Sequence, residues 1–267
     1  MFLRLERWLR KVYVARNRSR LGKILDGVDV NAMSGLEIGP LDRPIVDRRK
    51  GYRIKYLDHD TTEALRVRFK NDANVDPAAL AEIDFVITGG NILEVVKERF
   101  DYVVASQVFE HVPNPIQWLQ EMATLLNPGG LLCLAIPDRR YTFDLIRPAT
   151  SIGEMLEAYY TKRTRPAFKN VFDQNYYWRK VRVRAAWAGA KPWNKQPPLD
   201  KQVTMTYARR AIDTEEYLDV HCNIITGDEF VFFFDALRTY KLTELELVKF
   251  HPCETHDHEF FVQLRKA

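Results

Sequence analysis

The sequence predicts a doubly wound α/β fold: a mostly parallel sheet with helices on both faces. Three observations predict it. Five short apolar runs recur between residues 35 and 136, each followed by glycine or polar residues, and runs this apolar suit strands covered on both faces. The clearest helix of the chain stands between the fourth and fifth runs, as a right-handed crossover between parallel strands requires. The 267 residues are 46% hydrophobic and 28% charged. A chain of that length and composition folds around a core without disulfides or a structural metal.

Taken in order, Met1 to Val14 places Phe2, Leu5, Leu9, Val12 and Tyr13 on one helical face, with Arg4, Arg7, Arg10 and Lys11 mostly elsewhere. Charges interrupt every apolar stretch, so it is not a secretory signal. Such a helix can pack on the domain with its charged face in water or lie on an anionic membrane surface. The strands are expected at Gly35 to Gly39, Arg53 to Asp58, Ile83 to Ile87, Asp101 to Ser106 and Leu131 to Ile136. Thirteen residues between Gly39 and Arg53 leave room for only a short crossover helix. Asn114 as N-cap and Pro115 at the first position open the helix carrying Ile116, Leu119, Met122, Ala123 and Leu126, and Asn127-Pro128-Gly129-Gly130 closes it. Almost ninety residues then separate Pro137 from a helix beginning near Thr226. That is too long for a plain loop, so a helical cap is expected there. The organisation read from this is an amphipathic basic segment at 1–30, an α/β core at 31–137, the cap at 138–220, and a last helix and two strands at 221–267.

Charge is uneven. The net charge is +4, yet residues 1–20 carry seven Lys/Arg against Glu6, and residues 161–195 carry ten against Asp173. The rest is acidic, so an anionic partner would meet those two segments. Arg182 and Arg184 lie in the second, among Tyr176, Tyr177, Trp178, Trp187 and Trp193. Aromatics mixed with basic residues suit sugars, phosphates, nucleic acid or headgroups, or simply form a core. No RNA-binding signature is present, so nucleic acid is not the expected partner. Three widely spaced cysteines, Cys133, Cys222 and Cys253, suit a reducing compartment, and no apolar run is long enough to cross a membrane. The expected location is the cytoplasm, with residues 1–20 open to peripheral contact with a membrane face.

In open α/β sheets, ligands bind beyond the carboxyl ends of the strands. Those positions hold Gly39-Pro40, Asp58, Gly90-Asn91, Ser106-Gln107 with Glu110-His111, and Asp138 to Tyr141. Asp58 lies 19 residues beyond Gly39, a spacing at which an acid binds ribose hydroxyls in nucleotide-binding folds. For proton transfer, His111 after the fourth strand and His221 just before the last helix are candidate bases or structural histidines. His251, Cys253, His256 and His258 match no common zinc spacing, so no metal is expected.

Phe100 to Asp138, with the phrases FDYVVAS, FEHV, LLNPGG and LLCLAIPD, resembles the second half of a class I S-adenosylmethionine-dependent methyltransferase. LEIGP resembles that family's first motif and YLD its second-strand acid, although Gly39 alone stands for the usual glycines. LEIGPLDRP with PDRRYTFDLIRP is similar to bacterial methyltransferases found with glycosyltransferases in surface-polysaccharide synthesis. The resemblance implies a Rossmann-like sheet ending in an antiparallel pair at Thr243 to Phe250 and Glu259 to Leu264, and S-adenosylmethionine as cofactor. It implies that Gly39 and Pro40 pass under the methionine end, that Glu37 is a further cofactor-binding residue, and that Asp58 holds the ribose. Gly90 and Asn91 would lie beside the adenine, with Ser106 and Gln107 below the sulfonium. His221 and His111 are then the catalytic candidates, and Arg140, Tyr141, Arg182 and Arg184 the acceptor-binding ones. The acceptor implied is a hydroxyl of a sugar or sugar-linked anion. A small metabolite, a lipid or RNA is the alternative acceptor, and a non-catalytic cofactor-binding module the alternative class.

Overall fold

The computed structural model describes residues 19–190 and 200–267. The amphipathic stretch expected at Met1 to Val14, and Trp193, lie outside them. The described part of the first helix, α1, is residues 19–24. There follow β1 (Gly35–Ile38), β2 (Ile54–Asp58), α2 (Thr62–Arg68), β3 (Phe85–Val86), β4 (Phe100–Ser106), α3 (Pro115–Leu125) and β5 (Leu126–Pro137). Four helices come next: α4 (Ile152–Tyr160), α5 (Phe168–Tyr177), α6 (Val183–Trp187) and α7 (Lys201–Asp213). The chain closes with α8 (Gly227–Thr239), β6 (Leu245–His251) and β7 (Glu259–Lys266).

The seven strands form one sheet in the order β3-β2-β1-β4-β5-β7-β6. The first five are parallel, and β7 runs antiparallel to both β5 and β6. This is the doubly wound sheet that the apolar runs predict, with the antiparallel end that the resemblance implies. Both faces are covered, and β4 shows how: Val103 and Ala105 join one core with α3 and α8, while Tyr102 and Val104 point to the other with Ile24 of α1. The period-2 alternation of a strand thus feeds two separate cores.

Helix ends follow local chemistry. Asn114 accepts the Gln117 N–H as the N-cap of α3, with Pro115 at its start. Thr226 and Glu229 form a reciprocal capping box on α8, which satisfies two backbone donors at once.

The crossover between β1 and β2 holds a short 3-10 turn, Arg48–Lys50, capped by the Asp47 side chain, which accepts the Arg49 N–H. Two local expectations are corrected. Strand β3 is two residues long rather than five. Just before it, the Asp84 carboxylate takes the Tyr56 N–H at 2.7 Å, where a longer strand would offer a carbonyl. Asn127-Pro128-Gly129-Gly130 does not separate helix from strand; β5 begins at Leu126, and Gly130 fits closely against the Asp101 carbonyl.

Helices α4 to α7 lie in the long interval after Pro137. Val171 of α5 and Ala208 of α7 share a small core with Leu218 and Val220. The interval therefore holds itself together partly by its own apolar contacts. No helix among the described residues is long and apolar enough to cross a membrane.

Gly35 opens β1 directly against the fully buried Tyr102 ring, where an added Cβ would stand 2.2 Å from a ring carbon. Gly35→Ala is expected to cost about 1–3 kcal/mol through overpacking. Thermal unfolding should show this as a Tm lower by several degrees, and an unchanged Tm would contradict the tight β1–β4 packing.

Candidate active site

Register places the candidate residues. Ile38 of β1 pairs with Leu57 of β2 and with Ala105 of β4. The next residues, Gly39, Asp58 and Ser106, therefore leave the sheet side by side at its carboxyl edge. Gly39 has φ +67° and its N–H donates to the Leu57 carbonyl at 2.9 Å. A left-handed turn here favours glycine and leaves the backbone open to a ligand. Pro40 behind it is buried. Asp58 is buried, with its Oδ1 accepting the His59 N–H at 2.7 Å and facing His59 Nδ1 at 2.6 Å. Gly90 has φ +83°, and Asn91 uses its side-chain oxygen to cap Leu93 N–H at 2.8 Å.

Glu37 is buried, and its two oxygens accept the N–H groups of Ile45 (2.6 Å) and Val46 (3.0 Å). It thus holds the loop after β1. Burial pushes its carboxyl up to about 7, against the lowering pull of those two N–H bonds.

At the end of β4, Arg20 of α1 donates to Ser106 Oγ at 2.6 Å and to Glu259 of β7 at 3.0 Å. Gln107, at φ +57°, donates to the same Glu259 carboxylate at 3.0 Å. Sequence reasoning missed Arg20 and Glu259, since no local motif links residues so distant in the chain.

Beyond β4 and β5 opens a cavity of about 350 Å³ lined by Gln107, Glu110, His111, Pro137, Tyr141, Thr142, Phe143, Val183, His221 and His258. Both candidate catalytic histidines are in it, edge to face with ring centroids 4.7 Å apart. They meet because the Glu110 carbonyl accepts N–H groups from Cys222 and Asn223, while Asn223 donates to the Phe109 and Val112 carbonyls at 2.8 Å. Each ring is held by a carboxylate: His111 Nδ1 by Asp219 Oδ1 at 2.7 Å, and His221 Nδ1 by Asp144 Oδ2 at 2.6 Å. Burial tends to lower the His111 pKa, but the Asp219 bond and the nearby Glu110 charge outweigh it and raise it. Asp144 is buried with Arg147, whose guanidinium also donates to the Asn170 and His221 carbonyls at 3.0 and 2.9 Å. Asp144 and Asp219 escaped the sequence reading, although Asp219 stands two residues before His221.

The acceptor-side residues divide. Tyr141 lines the cavity and stacks on Trp187 with centroids 4.1 Å apart. Arg140 does not reach out: its guanidinium is paired with buried Asp138 at 2.6 and 2.9 Å, a bond that holds it firmly protonated. Arg182 and Arg184 are exposed on either side of Val183, which itself faces the cavity. His251, Cys253, His256 and His258 do not converge as ligands. Among the described residues, the one set of ligating atoms that does converge is Glu110, His111 and His221.

The raised Glu37 carboxyl has a consequence for stability. Folding lifts it from about 4.5 to about 7, so the native state binds the proton more tightly. The contribution is complete below pH 4.5 and is lost as pH rises through 7, by at most about 3 kcal/mol. Glu37→Gln should flatten that part of a pH-dependent unfolding curve. Equal slopes for both proteins would contradict the assignment.

Comparison with known proteins bears on the family. Residues 6–185 match the family described as the methyltransferase domain. A ubiquinone biosynthesis O-methyltransferase of Parvibaculum lavamentivorans is 37% identical over 57 residues, 21% of this chain and 22% of that protein. The match thus spans about a fifth of the length of the curated relatives. Among solved structures, the CcbJ methyltransferase of Streptomyces caelestis aligns over 94% of this chain and 96% of its own at 10% identity, with a TM-score of 0.47. A SAM-dependent methyltransferase of Methanosarcina mazei aligns over 91% and 96% at 14% identity, with a TM-score of 0.43. With the family pattern covering well over half of its length, the chain belongs to the methyltransferase domain family.

Proposed function

We propose that this protein transfers a methyl group from S-adenosylmethionine to a hydroxyl oxygen of an acceptor held in the cavity beside His111 and His221. One observation carries the reading: a cofactor-type edge, with Gly39, Asp58 and Ser106 abreast, adjoins a cavity walled by two carboxylate-held histidines. The residues fit the cofactor. Gly39 gives an exposed backbone turn at φ +67°, a conformation that residues with a side chain rarely adopt. Asp58, with Oδ1 already occupied by His59, would receive ribose hydroxyls at Oδ2. Gly90 and Asn91 would border the adenine, and Ser106 and Gln107 the sulfonium side. The cofactor supplies the methyl carbon and its own leaving group, so the chain's work is alignment, exclusion of water and removal of the acceptor's proton.

His221 suits that last task. Asp144 fixes its tautomer through Nδ1, so Nε2 is the nitrogen that would take the proton. His111 forms the cofactor-side wall. A sugar or sugar-linked anionic acceptor is supported by the exposed Arg182 and Arg184 flanking Val183 of the cavity wall and by the Tyr141–Trp187 pair beside it. O-methylation also agrees with the activity named for the P. lavamentivorans relative.

Calorimetry with S-adenosylhomocysteine tests the cofactor half. Wild type should bind. Asp58→Ala should weaken binding by about 10–100-fold, the loss of two hydrogen bonds at about 0.5–1.5 kcal/mol each. An absence of binding to wild type would overturn the proposal.

The acceptor half is tested by methyl uptake into nucleotide sugars and lipid-linked glycans. On whichever substrate responds, His221→Ala should lower the rate by roughly 10²–10⁴-fold while S-adenosylhomocysteine affinity is kept. A variant with near-normal rates across pH 6–9 would remove His221 from the role of base.

A further inference from the structure

Glu110, His111 and His221 each offer an atom able to bind a metal, and the three atoms lie within 4.8 Å of one another. We infer that they form a binding site for one divalent transition-metal ion inside the cavity, with a remaining coordination position open to an acceptor oxygen. The position of that open site rests on the reading of the cavity as the acceptor's.

The imidazoles are set up for it. Both Nδ1 atoms are bound to carboxylates, Asp219 for His111 and Asp144 for His221, so Nε2 is the nitrogen each ring can present. A carboxylate behind a histidine fixes the ring's orientation and strengthens its other nitrogen as a ligand, the arrangement that recurs behind protein-bound metals. Neither Asp144 nor Asp219 belongs to the converging set, so each is free to serve as this outer support.

The carboxylate is the second observation. Glu110 is 1% exposed, and its Oε2 has no hydrogen-bond partner. Its Oε1 stands 3.9 Å from His111 Nε2. A buried carboxylate oxygen left without a donor is costly. Nothing in the proton-transfer scheme above uses it, whereas a cation would satisfy it. Nor is the convergence a matter of loose surface side chains. The Glu110 carbonyl is bonded to the N–H groups of Cys222 and Asn223, which fixes the backbone of both ligand-bearing segments.

Two imidazole nitrogens and one carboxylate oxygen suit zinc, iron, cobalt or manganese better than magnesium or calcium, which take sets made of oxygens. Ligands about 2.0–2.2 Å from an ion stand roughly 3–3.5 Å apart in tetrahedral geometry, so a modest closing of side chains would complete the site. Three protein ligands leave at least one position for water or a substrate oxygen, as in metal sites that do chemistry. A proton and a cation compete for His221 Nε2. The free-imidazole role therefore belongs to the ion-free protein. In the loaded protein the ion would make the acceptor hydroxyl more acidic.

The test uses the full chain, stripped with chelator and desalted, without any acceptor. Titration with Co²⁺ followed by visible absorption, and with Zn²⁺ by calorimetry, should show one ion per chain. Glu110→Gln, His111→Ala and His221→Ala should each weaken uptake by tenfold or more, while His251→Ala leaves it unchanged. S-adenosylhomocysteine binding and the melting curve report whether each variant folds. Where an alanine variant does not, His111→Gln or His221→Gln is read in its place. The inference is overturned if wild type takes up no ion, or if uptake persists undiminished in folded variants of all three ligands. Ion uptake with no S-adenosylhomocysteine binding would instead overturn the methyltransferase proposal and leave the metal site standing.

Discussion

The structure depends on the hydrogen bonding of one four-residue strand. β1 is paired in parallel on both sides, with β2 and with β4, and every residue in it is buried. That double pairing brings Gly39, Asp58 and Ser106 to one edge at one level. A slip of β1 by one residue would turn Leu36 and Ile38 away from their core and exchange Glu37 for an apolar neighbour. The tight fit of Gly35 on Tyr102 and the grip of Glu37 on the Ile45 and Val46 amides both oppose such a slip.

A second constraint organises the cavity beyond β4 and β5. The buried Asp144 carboxylate is shared by Arg147 and His221, and Arg147 also reaches the carbonyls of Asn170 and His221. One buried guanidinium thus ties the segment after β5, the start of α5 and the returning chain before α8 to a single point. Breaking such a group by removing one partner leaves a buried charge uncompensated, which is far more costly than the net worth of the pair. The shape of the cavity and the orientation of His221 therefore depend on the same contact.

The central sheet was legible in the sequence because its signals are local. Apolar runs, the Asn114-Pro115 helix start and the Thr226 cap each act through neighbours a few residues away. The places of Gly39 and Asp58 at neighbouring strand ends were legible for the same reason, as spacing across one short crossover. The brevity of β3 was not, because it turns on the Asp84 side chain replacing a strand carbonyl. The hold of Glu37 on the loop after β1 was not legible, since its two N–H partners come from a loop with no periodic pattern. The carboxylates behind the histidines escaped because they reach them from 77 residues away in one case and 108 in the other.

Arg20 and Glu259 meet across a separation of 239 residues, and they do so at Ser106. Strand β7 lies between β5 and β6, so the sheet itself also waits for residues 259–266. During synthesis, β1 to β5 leave the ribosome long before that strand exists. The edge of β5 stays unpaired until then, exposed to wrong partners and to chaperones. Contacts this distant in the chain also slow folding. Gly39, Asp58 and Ser106 can come abreast once β4 has paired with β1, but the Arg20 bridge between Ser106 and Glu259 is completed only when β7 takes its place beside β5.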